Sequence, residues 1–420
     1  MANNRTIYVY ADWVGLEGST LMGVLSASFV RGKEIFSFEY DNDWLKSGNS
    51  LNLDPNLQLY GGPQYNSEDK PNFGLFLDSS PDRWGRVLMK RREAIIARKE
   101  GRKPHTLFES DFLLGVYDKH RMGGLRFKTD PEGPFLSTEK TLATPPWASL
   151  RELEHASLEL EKDEDKEDDE ALKWLNMLIA PGSSLGGARP KASIQDPKGN
   201  LWIAKFPSGN DEWNIGAWEM VAFTIASDAG IRISSVMAKQ FSGKHHTFLN
   251  KRFDRNEKGE RIHFASAMTL LGYNDGADHH AGVSYLELAE FIMQNGSHVD
   301  EELKELWKRI VLNICIKNTD DHLRNHGFLL TDSGWVLSPI YDVNPFPDGT
   351  GLTLNISEDD NALDPGLALS VAGYFRLKEK YATAIVEQIK SAVSNWRKIA
   401  QDIGISKQEQ AIMEPAFITG

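Results

Sequence analysis

The sequence is poor in cysteine and contains no long apolar run. Cys315 is the single cysteine, so no internal disulfide can form, and such usage is typical of a reducing cytoplasm. No stretch reaches the roughly 18 apolar residues that a membrane-spanning helix needs. The opening residues MANNRTIYVYADW lack the basic start and apolar core of a secretion signal. We therefore expect a cytoplasmic protein with no transmembrane helix.

Basic residues are too few for a protein that binds mainly to a nucleic-acid backbone. The chain has 47 Lys and Arg against 60 Asp and Glu, a formal net charge of −13, whereas backbone binding needs a concentrated basic surface. The basic patch at residues 90–103 could touch DNA beside a more basic partner, although a solvated helix face is the simpler interpretation. The composition, 40% apolar and 25% charged, is that of a globular protein, and 420 residues suffice for two or three domains.

The stretch KNTDDHLRNHGF, residues 317–328, contains Asp320 and Asn325 in a D-x-x-x-x-N arrangement. Phosphoryl-transfer loops need an Asp to orient the attacking hydroxyl and an Asn to hold a metal ion. Asp342 follows the apolar run 335–337 and could hold a second metal contact. Asp320 and Asp321 could instead be ordinary polar loop residues, but the loop, the short hairpin that we predict between Asn325 and Asp342, and Asp342 itself together favour a phosphoryl-transfer site. We expect His322 to support the loop by hydrogen bonding.

A second glycine-rich stretch, residues 181–209, has features of a phosphate-binding loop. Gly182, Gly186 and Gly187 would let backbone N–H groups approach phosphates closely, although the stretch matches neither the Walker A nor the G-x-G-x-x-G pattern. A hairpin predicted just after it would place Lys205 at a strand end beneath the loop. This is where kinases hold the lysine that contacts the nucleotide phosphates.

A helix is predicted to start at Asn214 and to stop at Gly230. It carries Glu219 among apolar neighbours. That acid could form the ion pair that positions the phosphate lysine, or it could be a surface residue of an amphipathic helix. The sequence leaves both interpretations open.

The remaining elements follow from hydrophobic periodicity and turn residues. We predict strands at 6–9, 21–26, 34–40, 192–195, 201–206, 236–241 and 247–251. We predict helices from Ser80 to about 98 and at 106–117, 284–293, 301–317, 367–374 and 382–396. The acidic run 159–170 is interpreted as a solvated helix end or loop, with an acidic docking tail as the alternative. Residues 409–420 are interpreted as a tail of uncertain order.

Several motifs, taken in order, resemble HipA, the kinase toxin of HipBA-type toxin–antitoxin modules. They are LDSSPDRWGR (77–86), SSLGGARPK (183–191), IAKFP (203–207), RFDR (252–255), NTDDHLRN (318–325) and YDVNP (341–345). The resemblance implies an α+β, two-lobed protein-kinase-like fold related to phosphoinositide kinases. It implies a β-rich N-terminal subdomain at 1–135, a kinase N-lobe at 136–255 and a helical C-lobe at 256–420.

The resemblance also implies a role for each matching residue, in a Ser/Thr protein kinase that uses ATP and Mg²⁺. Asp320 would be the catalytic Asp, Asn325 and Asp342 would hold Mg²⁺, and Lys205 would contact the phosphates. The further nucleotide-binding residues would be Ser184, Leu185, Gly186, Gly187, Ala188, Lys251, Phe253, Asp254 and His322. Ser184 matches the serine whose autophosphorylation switches the family off, with Ser183 beside it as the alternative.

The implied partners are a protein substrate and a small antitoxin in the bacterial cytoplasm. The substrate would be an aminoacyl-tRNA synthetase or another translation factor. The antitoxin would be HipB-like, with a helix-turn-helix that binds DNA, so this chain would meet DNA only indirectly. Three departures from the family stand out: Asp321 beside the catalytic position, Lys251 where an acidic residue is known, and the acidic run 159–170.

Two other functions remain open. The order Asp320-x-His322-x-x-Asn325 is similar to the D-R-H-x-x-N loop of phosphoinositide kinases, so the substrate could be a lipid or a small molecule. The lack of a clear basic membrane-facing segment weighs against a lipid. The chain could also be a kinase-fold subunit that only binds a partner.

Overall fold

The structure is a computed structural model that describes residues 4–48, 50–162, 169–179, 189–241 and 243–419. The strands in these ranges are β1 (Arg5–Ala11), β2 (Thr20–Val30), β3 (Lys33–Tyr40), β4 (Gln64–Tyr65), β5 (Leu125–Lys128), β6 (Lys191–Gln195), β7 (Leu201–Lys205), β8 (Val236–Lys239), β9 (Thr247–Lys251), β10 (Phe264–Ser266), β11 (Gly327–Thr331) and β12 (Gly334–Leu337).

The helices in the same ranges alternate with these strands and dominate the second half of the chain. They are α1 (Asn42–Lys46), α2 (Gly74–Leu77), α3 (Arg83–Lys99), α4 (Glu109–Gly115), α5 (Leu150–Lys162), α6 (Asp169–Leu178), α7 (Ile215–Asp228), α8 (Ala267–Leu270), α9 (Tyr285–Asn295), α10 (Val299–Cys315), α11 (Pro365–Val371), α12 (Glu379–Ser394), α13 (Trp396–Ile403) and α14 (Lys407–Met413). Within the described ranges, none of them is both long and apolar enough to cross a membrane.

The chain packs into two units. Unit 1 comprises Met1–Ala204 and Arg252–Asn274, and unit 2 comprises Lys205–Lys251 and Asp275–Gly420. The N-lobe that we predicted at 136–255 contributes residues to both units. The three-part division drawn from the sequence therefore stays a prediction, while the α+β class is confirmed.

Unit 1 contains an antiparallel five-stranded sheet in the order β4-β3-β2-β1-β5. Alternate residues of a strand face opposite sides of a sheet, and Ile7, Val9 and Ala11 of β1 are fully buried. Leu25 on β2 lies opposite Ile7 on one side and Phe38 on the other. The β-rich start of the chain that the sequence predicted is confirmed, with each strand longer than expected.

The start of α3 differs from the sequence prediction. Its N-cap is Asp82, whose side chain accepts a hydrogen bond from the backbone N–H of Gly85 at 2.9 Å. The predicted cap, Ser80, instead donates its hydroxyl to the carbonyl of Phe76 at 2.9 Å. The prediction was wrong because Ser, Pro and Asp in succession all favour helix starts, and the local sequence does not rank them.

Three basic residues of α3, together with Arg102 just after it, pair with acidic side chains of unit 1. Arg86 binds Glu109, Arg92 binds Glu139, Lys99 binds Asp169 and Arg102 binds Glu93. These pairs stand on or near the surface, where each contributes little stability, but they offset positive charge. The surface around residues 90–103 therefore carries less net positive charge than the sequence of this stretch alone indicates.

Unit 2 is built on helices around α10, with two antiparallel hairpins. Leu306, Ile310 and Ile314 recur at helical spacing along α10 and are buried, and α10 packs against α9, α11 and α12. β8 pairs with β9, and β11 pairs with β12. Cys315 ends α10, and burial raises the pKa of its thiol to about 12, which fits the predicted packing role.

A buried histidine in unit 1 predicts how stability depends on pH. His263 stacks on Trp13 with ring centroids 4.8 Å apart, and burial lowers its pKa to about 3. As pH falls below about 6.5, the unfolded chain gains a proton at this residue while the folded protein does not. At pH 5 the free energy of unfolding should therefore be about 2 kcal/mol lower than at pH 7 on account of His263.

The variant His263→Phe should reduce the drop in melting temperature between pH 7 and pH 5. The control is His105→Phe, at an exposed position of the same unit, which should leave that drop unchanged. An equal drop in the wild type and in His263→Phe would contradict the assignment of a neutral buried imidazole.

Candidate active site

Lys205 is bound by two carboxylates at the start of unit 2. It ends β7, and its Nζ donates to Glu219 Oε1 at 2.6 Å and to Asp342 Oδ1 at 2.7 Å. Burial alone would lower the pKa of Lys205, but the charges of Asp342 and Glu219 outweigh burial and raise it. The ion pair with Glu219 that the sequence left open is confirmed.

Local sequence signals place Glu219. Asn214 caps α7 by accepting from the N–H of Ala217, and Gly230 follows the helix end in a left-handed conformation at φ 69°, as predicted. Gly216 lets the first turn approach β9, because a Cβ there would lie 2.2 Å from the carbonyl oxygen of His246. Glu219 is consequently only 1% exposed, and the alternative of a surface acid was wrong.

The loop after α10 carries Asp320 and Asn325. A short 3₁₀ turn, Leu323–Asn325, brings the Asn325 Nδ2 group to donate to the backbone carbonyl of Asp320 at 2.8 Å. This bond fixes which way the amide faces. Asn325 Oδ1 is buried and has no hydrogen-bond partner among the described residues, so the amide oxygen remains available to an added ligand.

Asp320 is exposed and has an unusual electrostatic setting. Partial loss of solvent around its carboxylate raises its pKa, His322 opposes that rise, and the negative charges of Asp342 and Asp321 add to it. Asp320 and Asp342 are therefore near enough to interact. A carboxylate with a raised pKa is a better proton acceptor.

The backbone at Asp342 is strained. The residue adopts a left-handed φ of 58°, which costs a non-glycine residue about 1 kcal/mol or more. Two residues earlier, Ile340 forms an isolated β-bridge with Ile233. The backbone N–H of Ile340 donates to the carbonyl of Arg232 at 3.0 Å. Such strain persists where the surrounding structure fixes the residue, and it is common at functional sites.

Sequence reasoning missed the role of Asp321, which is a buried hub beneath the loop. Its Oδ2 accepts from the Tyr285 hydroxyl at 2.6 Å and from Asn313 Nδ2 at 2.7 Å, and it contacts His326 Nε2 at 2.8 Å. Burial would raise the pKa of Asp321, but His326 and these hydrogen bonds hold it below its usual value. The one available signal was Asn313, a polar residue within the apolar end of α10.

The hub also reaches the segment that carries Asp342. Asn318 Nδ2 donates to Asn313 Oδ1 at 2.9 Å, and Asn318 Oδ1 accepts from the backbone N–H of Asn344 at 3.2 Å. Hydrogen bonds thus link α9, α10, the loop and the 342–344 segment. This network can hold Asp320, Asn325 and Asp342 in fixed relative positions.

The other predicted site residues have different settings. Lys251 ends β9 in unit 2, whereas Phe253 and Asp254 belong to unit 1. Asp254 is fully buried and binds Arg252 and Arg255 at 2.6 Å each. Because these arginines hold its pKa well below the usual range against the effect of burial, its carboxylate is committed to protein partners.

His322 and the glycine-rich loop are the remaining site residues that the sequence predicted. The Nδ1 atom of His322 is buried and has no partner among the described residues. The residues Ser183, Ser184, Leu185, Gly186, Gly187 and Ala188 lie outside the described residues.

The oxygen atoms of Asn325 and Asp342 fit a divalent metal ion. Mg²⁺ prefers carboxylate and amide oxygens, and the unpartnered, buried Oδ1 of Asn325 is such an oxygen, held in place by the bond from its own amide nitrogen. Asp342 supplies the carboxylate. The donor set is therefore suited to a hard cation rather than to zinc or copper.

The α+β fold and this site define a kinase-like class of protein, and comparison with known proteins identifies the family. The model of the HipA-like C-terminal domain matches residues 183–396, about half of the chain and the part that holds Lys205, Glu219, Asp320, Asn325 and Asp342. The chain belongs to the HipA family.

Individual comparisons add one sequence relative and one shared fold. A protein of Haemophilus influenzae described as a putative kinase is 28% identical over 195 residues, which are 41% of this chain and 56% of that protein. The match thus spans little more than half the length of the relative. HipA of Shewanella oneidensis MR-1, solved with HipB and operator DNA, has a TM-score of 0.64 and 18% identity over 98% of this chain and 94% of that chain, which shows a shared fold.

A more remote structure also matches part of the chain. The proinflammatory kinase CtkA of Helicobacter pylori covers 54% of this chain and 92% of its own, with 15% identity and a TM-score of 0.36. That score is too low to support an argument about this protein.

Removing the Asp321 carboxylate should destabilise unit 2. Asp321→Ala leaves three buried donors without their acceptor, so we expect the free energy of unfolding to fall by about 3–5 kcal/mol. Tyr285→Phe, which loses one hydrogen bond to a charged group, should cost about 1.5–3 kcal/mol. Urea unfolding would measure both. Asp332→Ala, at an exposed position of the same unit, is the control, and a midpoint for Asp321→Ala equal to that of the control would contradict the hub.

Proposed function

We propose that the protein is an ATP- and Mg²⁺-dependent Ser/Thr protein kinase of the HipA type. The observation that carries the proposal is the double ion pair of Lys205, at 2.6 Å to Glu219 and 2.7 Å to Asp342. In kinases a lysine held by a helix glutamate contacts the nucleotide phosphates, and a second Asp holds the metal. Membership of the HipA family supports the same function.

In the proposed reaction the substrate hydroxyl oxygen forms a bond to the γ-phosphorus of ATP. The bond from that phosphorus to the β,γ-bridging oxygen breaks, ADP leaves, and Asp320 accepts the hydroxyl proton. Lys205 offers positive charge to the phosphates, and Glu219 keeps its ammonium group in place. Such sites act through positioning and electrostatics.

Asn325 and Asp342 are the residues that would hold Mg²⁺. When bound, the ion would offset negative charge on the phosphates of the nucleotide. The amide of Asn325 is already oriented by its bond to the carbonyl of Asp320, and Asp342 is held by Lys205. Neither side chain would therefore need to move far to bind the ion.

Autophosphorylation in the glycine-rich loop is part of the proposal. Ser184, or Ser183 beside it, would receive the phosphate. That group adds about −1.5 to −2 charges at neutral pH. Because these charges repel the phosphates of a nucleotide bound at Lys205, the phosphorylated loop and the nucleotide would not occupy the site together. Modification would then switch the kinase off. Gly186, Gly187 and the residues around them would cover the phosphates in the unmodified state.

The proposed partners are a protein of the translation machinery as substrate and a HipB-like antitoxin. The solved HipA from Shewanella is bound to HipB and operator DNA, and this chain has the same fold. The net charge of −13 and the acidic partners of Arg86, Arg92, Lys99 and Arg102 favour an indirect contact with DNA, through the antitoxin, in the bacterial cytoplasm.

The test is phosphate transfer by the purified full chain with Mg·ATP. Mass spectrometry should find phosphate on Ser184 or Ser183. Asp320→Asn should lower the rate by about 10²–10⁴-fold because it removes the proton acceptor while keeping the shape of the side chain. Lys205→Met should weaken Mg·ATP binding, measured by calorimetry.

The control variant is Asp359→Asn, at an exposed position of unit 2, which should keep the wild-type rate. Equal phosphate incorporation in the wild type and Asp320→Asn would refute the catalytic assignment. Transfer to phosphoinositide vesicles but to no protein would favour a lipid substrate. Absence of Mg·ATP binding would favour a subunit that only binds a partner.

A further inference from the structure

Residues 406–418, which we call the clamp segment, contact two separate parts of unit 2. The segment contains α14, which begins after Ser406, whose hydroxyl accepts from the N–H of Glu409 at 3.2 Å. From the sequence we expected a tail of uncertain order in this region. The structure instead has a capped helix with Met413 and Phe417 buried.

The first contact is made by Glu409 with the start of α7. Its Oε1 accepts from the backbone N–H of Asn214 and from the indole Nε1 of Trp218, both at 2.8 Å. Asn214 is the N-cap of α7 and Trp218 lies in its first turns. An acidic side chain is favourable at a helix N-terminus because the free N–H groups there carry partial positive charge.

The contact matters because α7 carries both Trp218 and Glu219. Trp218 is 1% exposed and packs against Trp396 and Phe417, which stack on each other with centroids 4.4 Å apart. The next residue, Glu219, holds Lys205. Because one turn of a rigid helix bears both side chains, a shift of Trp218 must also shift Glu219.

The second contact joins the clamp segment to the other half of the site. The backbone N–H of Ile418 donates to the carbonyl of Cys315 at 2.7 Å. Cys315 is the last residue of α10, directly before the loop that carries Asp320 and Asn325. The same segment therefore holds both the helix behind Lys205 and the helix that leads into the loop.

We propose that the clamp segment sets the position of Lys205 through Glu409, Trp218 and Glu219. Glu409 is then a positioning residue for binding of the nucleotide phosphates, and it touches neither substrate nor nucleotide. The proposal rests on the proposed kinase function, because it assigns Lys205 to the phosphates. It adds a control point at the N-terminus of α7.

The experiment compares three variants of the full chain in Mg·ATP binding by calorimetry. Glu409→Ala removes the acceptor of two hydrogen bonds and should raise the Kd for Mg·ATP by about tenfold. Glu409→Gln keeps an oxygen that can accept both bonds and should bind nearly as the wild type does. The matched control is Glu414→Ala, on the same segment, which removes a surface ion pair with Arg397 of α13.

The binding curve separates positioning from simple loss of stability. A variant that is only less stable would show fewer competent sites with the Kd unchanged, whereas a displaced Lys205 raises the Kd of every site. A Kd for Glu409→Ala equal to that of Glu414→Ala would overturn the proposal. A Kd raised in Glu409→Ala and restored in Glu409→Gln supports it.

Hydrogen exchange at residues 214–222 gives a readout that does not require nucleotide. These amides should exchange faster in Glu409→Ala than in the wild type and in Glu414→Ala. If the wild type binds no Mg·ATP, the kinase proposal fails, but the exchange data still decide whether Glu409 holds α7. Unchanged exchange in Glu409→Ala would overturn the clamp.

Discussion

The site depends on one buried cation shared by two carboxylates. Removing an ammonium group from water costs several kcal/mol unless close partners compensate, so Lys205 can be buried only where Glu219 and Asp342 meet it. These two acids come from α7 and from the segment after β12. The need to compensate the charge of Lys205 therefore brings together the end of β7, α7 and the segment after β12, which lie far apart along the chain.

Two further carboxylates position this arrangement without belonging to it. Asp321 accepts hydrogen bonds from α9 and α10 beneath the loop, and Glu409 accepts two at the start of α7. Each gathers donors from several elements onto one side chain. A carboxylate suits this task because it accepts several hydrogen bonds at once and each bond to a charged group is stronger than a neutral one.

Local signals predicted the longer elements around the site but missed several others, among them α5, α6 and β5, and they placed the start of α3 wrongly because several residues offered the same signal. Asn214 and Gly230 bracket α7 as expected, because capping and left-handed glycine are properties of the chain within a few residues. At Ser80-Pro81-Asp82 the choice of cap depended on the end of α2, where Ser80 bonds to Phe76. That bond depends on how the preceding helix folds, which the residue types alone do not specify.

The sequence by itself determined the order of the motifs, the residue types that are candidates for phosphate and metal binding, and many of the helices and strands that carry them. Only the tertiary structure showed that Asp320 and Asp321, adjacent residues of one type, have different settings: the first is exposed and the second is buried as a hub. It also decided that Glu219 faces Lys205 and that Glu409 holds α7. The physical reason is that burial and pairing of a charge depend on groups distant in sequence, whereas helix periods and caps depend on neighbours.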